Sequence, residues 1–278
     1  DVVSMSLNFP GHSDSPTSTA TDNLVRRGTV AVIASGNDGP NPATLGEPGS
    51  SREGLTVGAV DKEDNMADFS SRGPVVWSEG RITKPDVVAP GVIICSARLG
   101  DIGSGCFDNV HVAASGTSMA APHVTGVVAL LKQKFPILSP VNIKNLIISN
   151  AFDLSQDINI QGAGRVDALA SIQSAVVFNP GIIKIVSSVA EDEISSGFTL
   201  RNLKDYTIGV RLRNTPLIGE DNSYDVDYAF SEEQFCLDPD EEQEIHFSFN
   251  TRNIPMGKYR NSVITDIFEN CEFLGEFF

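Results

Sequence analysis

The residue with the clearest chemical potential is Ser118, in the run Ala114-Ser115-Gly116-Thr117-Ser118-Met119-Ala120-Ala121-Pro122-His123-Val124. Small and apolar residues follow it as far as Leu131, which predicts a helix that is buried on most sides. Proline lacks an N–H and is best tolerated in a first turn, so Pro122 predicts a helix that begins at about Ser118. The Ser118 hydroxyl would then lie beside unpaired amides and the positive end of the helix dipole.

From Gly116 to His123, this run resembles without a gap the segment that carries the nucleophile of the subtilisin-like serine proteases. The resemblance implies peptide-bond hydrolysis through an acyl-enzyme on Ser118. Serine is also a preferred helix N-cap, and a purely structural Ser118 is the alternative. The Gly-x-Ser-x-Gly elbow of the α/β-hydrolases does not fit, because Ala120 occupies its last position.

A second candidate, Asn37, follows the β-branched run Val30 to Ala34, which predicts a buried parallel strand. Sites in open α/β sheets lie at the carboxyl ends of strands. In the resembled family, an Asn after Ala-x-Gly donates its side-chain amide to the oxyanion, and Asn37 matches that position. The Ser118 N–H would be the second donor. The alternative is that Asn37 belongs only to a turn, which the composition of residues 35–40 would also explain.

The start of the chain predicts a βαβ crossover, with a strand at Val2 to Leu7, a helix from about Ser18 to Arg27 and the strand from Val30. Ser6-Leu7 resembles the family's Ser-Leu-Gly segment, which pairs with an extended substrate, although Asn8 stands where the family has Gly. An edge strand that binds no ligand is the alternative. The resemblance implies a substrate-binding set of Ser6, Leu7, Asn8, Ala34, Ser35, Gly36, Gly116 and Thr117.

A serine nucleophile needs a base and a group that orients the base. In the family, these Asp and His residues precede the serine in Asp-[Ser/Thr]-Gly and His-Gly-Thr-His contexts, and neither context occurs here. The resemblance gives His123 a packing role, and none of the other histidines lies in a matching context: His12, His111 and His246. We therefore expect the triad Asp and His in an N-terminal half of the protease domain outside this sequence. Alone, the chain should be inactive.

The predicted fold of residues 1–178 is α/β, a partial subtilisin-like parallel sheet with helices on both faces. Residues 179–278 are predicted to form an all-β sandwich of the immunoglobulin or fibronectin type III kind. Ser139-Pro140 predicts a helix from Val141 to Ser149, and a last helix should end near Val176. Turn signals then separate short predicted strands, which are Ile182 to Val186, Gly197 to Leu200, Tyr206 to Leu212, Tyr224 to Phe230, Glu244 to Phe249 and Ser262 to Ile267.

Charge is unevenly divided, with a net −5 for residues 1–178 and −11 for residues 179–278, which together give the −16 of the chain. This acidic balance argues against nucleic-acid and anionic-membrane partners. The family resemblance implies a polypeptide substrate. The run from Asp238 to Glu244 could attract calcium, and is more often a solvated loop. The family often binds structural calcium, but we assign no metal ligand, because the family's best-defined site uses upstream residues.

The four cysteines, Cys95, Cys106, Cys236 and Cys271, allow three disulfide connectivities, and free buried thiols are an equal alternative. Secretion suits both the family and possible disulfides. Three functions remain open. One is a subtilisin-like endopeptidase. The second is a pseudoprotease or binding module that retains the fold, and the third is an adhesive sandwich with the first domain as its scaffold.

Overall fold

The computed structural model describes residues 1–11, 14–78, 80–99, 106–108, 110–183, 185, 193–219, 222–252, 254–255 and 257–272. The chain forms two compact units, residues 1–173 and 174–278. The sequence predicted the boundary between residues 178 and 179. Within the described residues, no helix has both the length and the apolar character needed to cross a membrane.

The first unit alternates strands and helices. Its elements are β1 (Val2–Met5), α1 (Pro16–Arg26), β2 (Val30–Ala34), β3 (Leu55–Val60), β4 (Val75–Trp77), β5 (Gly80–Ile82), β6 (Val87–Pro90), β7 (Ile94–Ala97), β8 (His111–Ala114), α2 (Thr117–Lys134), α3 (Pro140–Ser149), α4 (Ile158–Gln161) and α5 (Ala168–Gln173). Strands β1, β2, β3 and β6 form a parallel sheet in the order β1-β2-β3-β6. Strands β4 and β5, and β7 and β8, form antiparallel pairs.

The parallel sheet is covered on both faces, because all five residues of β2 are buried. Helix α1 packs over Ala31 and Ile33, and α2 contacts all four strands. The crossover β1-α1-β2 and the Ser139-Pro140 start of α3 are both confirmed: β1 and β2 pair in parallel, and the Ser139 side chain accepts from the Asn142 N–H. The Ser139-Pro140 signal suffices because it lies within one helix cap.

A buried charge cluster joins β3, β6 and α3. Lys84 Nζ lies 2.6 Å from Asp86 Oδ2 and 2.7 Å from the Gly54 carbonyl oxygen, and Lys144 Nζ lies 2.9 Å from Asp86 Oδ1. Burial lowers the pKa of Lys84 to about 7, although the Asp86 carboxylate works in the opposite direction. The Asp86 carboxylate also accepts from the Thr56 N–H at 2.7 Å, so one side chain fixes two neighbouring strands and a helix.

The described residues of the second unit form strands and turns and no helix. Its strands are β9 (Val176–Asn179), β10 (Glu193–Asn202), β11 (Ile208–Asn214), β12 (Leu217–Ile218), β13 (Ser223–Tyr224), β14 (Tyr228–Phe230), β15 (Gln234–Leu237), β16 (Glu242–Asn250) and β17 (Val263–Glu269). Two antiparallel sheets, in the orders β14-β16-β10-β9 and β15-β11-β17, contribute to one apolar core that contains Phe198, Leu200, Val210 and Ile245. Strands β12 and β13 form a separate pair.

Several predicted elements were wrong in detail. The last helix of the first unit ends at Gln173 and not near Val176, because Val176 opens β9 and pairs with Asn202. The predicted strand Tyr224 to Phe230 is two strands, since residues 225–227 leave the ladder. Strand β15 was not predicted. The predicted strand Ile182 to Val186 shows no strand at residues 182, 183 and 185, and its other two residues lie outside the described part of the chain.

Each unit contains one disulfide. Cys95 pairs with Cys106 and Cys236 with Cys271, with Cα–Cα distances of 5.9 and 5.7 Å. Of the alternatives left open by the sequence, the structure therefore has the intradomain pairing. The acidic run forms a turn in which the Asp238 N–H donates to Glu241 and Arg201 pairs with Asp240 and Glu242.

Candidate active site

Ser118 is the second residue of α2, at the carboxyl edge of the parallel sheet. The helix begins at Thr117, which is buried, while Ser118 is partly exposed. Its backbone N–H belongs to the first turn and has no acceptor four residues earlier within the helix. The nucleophile candidate therefore lies where a backbone donor and the positive end of the helix dipole are both available.

Pro122 lies inside α2 and not in its first turn, so this part of the sequence prediction was wrong. Its missing N–H leaves the Ser118 carbonyl oxygen without its usual helical donor. The Ser6 hydroxyl donates to that oxygen at 3.0 Å. A side chain from the segment after β1 thus replaces the lost helical hydrogen bond, and this explains how the helix tolerates the proline.

Helix α2 is buried along one face rather than on most sides, which corrects a second expectation. Its buried residues include Ala120, Ala121, Val124, Val128 and Leu131. Within the part of the chain that the structure describes, the other face remains exposed at Pro122, His123, Gly126, Ala129 and Leu130.

The side chain of Asn37 contacts the residue next to Ser118. Asn37 Oδ1 accepts from the Thr117 N–H at 2.9 Å and from the Thr117 hydroxyl at 3.1 Å. A Cβ added at Gly116 would lie 3.4 Å from Asn37 Nδ2, so the carboxamide packs against the backbone just before the helix. Since Oδ1 is occupied twice, Nδ2 is the part of the carboxamide left to donate elsewhere.

Gly36 places Asn37 against the helix. Gly36 has a φ of 104°, a left-handed conformation that favours glycine, and its N–H donates to the Thr117 hydroxyl oxygen at 3.2 Å. The preceding residue, Ser35, donates its backbone N–H to the Val57 carbonyl oxygen at 2.9 Å. The structure thus brings the end of β2 and the start of α2 into direct contact, although 80 residues separate Asn37 from Thr117.

A cavity of about 390 Å³ opens beside Ser118. Its walls come from the start of α2 and from the β7-β8 hairpin, and its lining residues are Ile94, Cys95, Ser96, Val112, Ala114, Ser118, Met119, Pro122 and His123. Cys95 is half of the Cys95–Cys106 disulfide, so a covalent link ties β7 in this wall to the segment that connects β7 with β8.

The described histidines have other partners. His123 Nδ1 lies 2.8 Å from the Met119 carbonyl oxygen one turn earlier in α2. His111 Nδ1 lies 2.7 Å from Asp108 Oδ2, and His246 lies in β16 of the second unit. His12 falls outside the described residues. Among the described residues, no group of three or more His, Cys, Asp or Glu side chains is arranged to hold a metal ion.

Sequence reasoning missed three contacts in this region. Thr117 orients Asn37, Ser6 supports Ser118, and Asn8 donates to Asp38 Oδ2 at 3.1 Å. Only the second had a signal in the sequence, because a proline in a strongly predicted helix requires a substitute donor for the carbonyl four residues earlier. The other two depend on side-chain directions that spacing does not give.

The parallel α/β sheet carries a serine at the start of a helix that packs on it, and an asparagine side chain is bound next to that serine. This is the class of fold and the kind of residue pair that hydrolases use. Residues 1–169 match the model of the subtilase family of peptidases, peptidase S8. The chain therefore belongs to the subtilase family.

Known relatives agree with this assignment. The chain is 36% identical over 192 residues to the serine protease AprX of Bacillus subtilis. The alignment covers 62% of this chain and 42% of AprX. The chain is 35% identical over 175 residues to subtilisin DY of Bacillus licheniformis, with coverages of 62% and 57%. The human membrane-bound transcription factor site-1 protease is 35% identical over 189 residues, with coverages of 65% and 17%. The chain thus spans less than two thirds of the length of each.

Proposed function

We propose that this chain carries the nucleophile part of a serine endopeptidase. Ser118 Oγ attacks the carbonyl carbon of a peptide bond, and Asn37 Nδ2 and the Ser118 N–H donate to the oxyanion that forms. The observation that carries the proposal is the pair of hydrogen bonds from Thr117 to Asn37 Oδ1, because they fix the carboxamide at the start of the nucleophile helix with Nδ2 free to donate.

The reaction proceeds in two acyl transfers. A histidine takes the Ser118 proton, the tetrahedral intermediate collapses, and the amine leaves with that proton while the acyl group stays on Ser118. The same histidine then takes a proton from water, and the water attacks the ester on Ser118. The carboxylic acid product leaves, and the Ser118 hydroxyl is restored. We propose that the Asp and His come from an N-terminal half of the protease domain. By itself, the chain would then lack the triad Asp and His and be inactive.

The exposed face of α2 supports the proposal that an N-terminal half of the protease domain packs against this chain. Pro122, Ala129 and Leu130 expose small or apolar side chains along the helix that carries Ser118, and burial of such a face favours association. An N-terminal half that packs there would also bring its histidine close to Ser118.

The proposed substrate is a polypeptide in extended form. Ser6, Leu7 and Asn8 continue from an edge strand of the sheet, and an edge strand can add a peptide as a further strand. The other proposed contacts lie at the end of β2 and the start of α2: Ala34, Ser35, Gly36, Gly116 and Thr117. The acidic charge of the chain gives no support for a nucleic-acid partner.

We also propose an extracellular location and a fibronectin type III-like sandwich for the second unit. Two disulfides favour an oxidising compartment. Two antiparallel sheets around one core are the arrangement of such sandwiches. Structural calcium remains a proposal from the family alone, with no ligand assigned.

The test uses the full-length protein that contains this chain. A fluorophosphonate probe should label the wild type and leave Ser118→Ala unlabelled. Asn37→Ala should lose roughly 10²- to 10³-fold in kcat, a magnitude taken from subtilisin, a member of this same family. Asn41→Ala, in the exposed loop that follows, is the control and should retain full activity. A wild type that neither labels nor cleaves peptides would instead indicate a pseudoprotease or binding module.

A further inference from the structure

Two segments leave the sheet side by side and both reach the start of α2. They do so because β1 and β2 are parallel neighbours, with Met5 opposite Ile33. After β1, the Ser6 hydroxyl donates to the Ser118 carbonyl oxygen at 3.0 Å; after β2, the Gly36 N–H donates to the Thr117 hydroxyl at 3.2 Å. The gap between residues 6–8 and residue 36 therefore opens next to Ser118.

The Asn8 side chain fills this gap. A Cβ added at Gly36 would lie 2.8 Å from both Asn8 Cγ and Asn8 Oδ1, and a Cβ added at Gly46 would lie 2.5 Å from Asn8 Oδ1. The loop with Gly46 is fixed there, because Phe9 and Glu47 exchange backbone hydrogen bonds of 2.9 and 3.0 Å. The carboxamide is thus packed between two glycine backbones, which leave no room for a further side chain.

The contacts of Asn8 indicate that it acts by filling space. Its Nδ2 donates to Asp38 Oδ2 at 3.1 Å, which fixes the direction of the side chain. Its Oδ1 is buried and has no hydrogen-bond partner among the described residues. An unpaired buried acceptor is unfavourable, so the carboxamide is retained by its fit and by Asp38 rather than by a full set of hydrogen bonds.

We propose that Asn8 restricts the substrate residue on the carbonyl side of the cleaved bond to glycine, alanine or serine. This inference rests on the proposed function. A carbonyl held between Asn37 and the Ser118 N–H places its residue next to Gly36, which precedes Asn37 in the same loop. A large side chain at that residue enters the gap only when it displaces the Asn8 carboxamide from Asp38 and from both glycines.

The experiment compares peptides that differ only at this residue, alanine against phenylalanine, with the full-length protein. The wild type should favour alanine in kcat/KM. Asn8→Gly should shift the phenylalanine-to-alanine ratio upward by at least roughly 10- to 200-fold, the discrimination that a single methylene gives in an apolar pocket. Asn8→Ala, which keeps a Cβ and adds no backbone freedom, should shift the ratio in the same direction by less. Asn41→Gly is the matched control and should leave the ratio unchanged.

The outcomes separate the two proposals. Suppose that cleavage depends on Ser118. The role of Asn8 alone would then be overturned if the wild type favoured phenylalanine, or if the Asn8 variants left the phenylalanine-to-alanine ratio unchanged. No cleavage dependent on Ser118 with any peptide would overturn the proposed function and this inference together. Thermal unfolding of each variant, followed through Trp77 fluorescence, checks that a changed ratio comes from a folded protein.

Discussion

Thr117 shows how one side chain can organise a site at the scale of single residues. Its hydroxyl accepts from the Gly36 N–H at 3.2 Å and donates to Asn37 Oδ1 at 3.1 Å, so it orders two consecutive residues of the loop after β2. Thr117 is itself almost fully buried. A buried hydroxyl with both partners satisfied is fixed in direction, and it therefore determines which end of the Asn37 carboxamide faces away from the helix.

Asp86 is the residue on which the charge cluster depends. Asp86→Asn removes a buried carboxylate from two ammonium groups and should lower the free energy of unfolding by about 3–5 kcal/mol near neutral pH. Burial works to raise the pKa of Asp86, but Lys144 and Lys84 overcome it and hold the pKa below its usual 3.8. The carboxylate therefore stabilises the fold above about pH 3.8, and this stabilisation is lost as the pH falls through the lowered pKa.

Urea unfolding between pH 3 and 6 tests this sign. In this range Lys84 of the wild type is protonated in both the folded and unfolded states, because its folded pKa is about 7, so it adds no slope to the wild-type curve. The reference variant is Lys84→Met with Asp86→Asn, because Lys84 without the Asp86 carboxylate would have a still lower pKa and add a slope of its own. Trp77 is the only tryptophan and reports the first unit. The difference between wild type and the variant with Lys84→Met and Asp86→Asn should shrink toward the acid end. Glu53→Gln, at an exposed ion pair with Arg26, is the control and should cost less than about 1 kcal/mol. A difference that grows on acidification would contradict the assigned direction.

At the scale of elements, α2 and the end of β1 depend on each other through Pro122. Ser6→Ala removes the donor to the Ser118 carbonyl oxygen, which the proline leaves without a helical partner. Since one hydrogen bond contributes roughly 0.5–1.5 kcal/mol, we expect a 2- to 10-fold slower reaction of Ser118 with a fluorophosphonate in the full-length protein. Ser6→Thr keeps a hydroxyl and should recover most of the rate. Equal rates for wild type and Ser6→Ala would show that the hydrogen bond does not position Ser118.

Elements with local signals could be predicted, and those decided by distant partners could not. The cap Ser139 and the β-branched strand Val30–Ala34 needed only their own neighbours. The place of Pro122 inside α2 depended on Ser6, 112 residues before Ser118. Strand β9 depended on its pairing with β10, because the run Val176 to Phe178 is compatible with the end of a helix as well as with a strand.

The candidate site divides in the same way. The family resemblance predicted that Asn37 and the start of the Ser118 helix lie together, and Asn37 Oδ1 does accept from the Thr117 N–H. The sequence could not predict that the Asn8 carboxamide packs between Gly36 and Gly46, or that Lys84 and Lys144 share Asp86, because these contacts depend on side-chain direction in three dimensions. The catalytic roles of Ser118 and Asn37 stay predictions.

At the scale of the whole molecule, the two units have separate cores, separate sheets and separate disulfides. Their spectroscopic probes are separate as well: Trp77 lies in the first unit, and all four tyrosines lie in the second, Tyr206, Tyr224, Tyr228 and Tyr259. Fluorescence of the intact chain can therefore follow each unit by itself. A change within one unit should alter the stability of that unit.

The disulfides provide this test. Cys236–Cys271 links residues 35 apart, and closure of such a loop in the unfolded chain stabilises the fold by about 4 kcal/mol in the chain-entropy description. Replacing both cysteines by alanine should lower the stability reported by tyrosine by about that amount and leave the Trp77 transition unchanged. The matched control replaces Cys95 and Cys106, 11 residues apart, and should shift only the Trp77 transition. If either double variant moved both transitions equally, the units would unfold as one cooperative body.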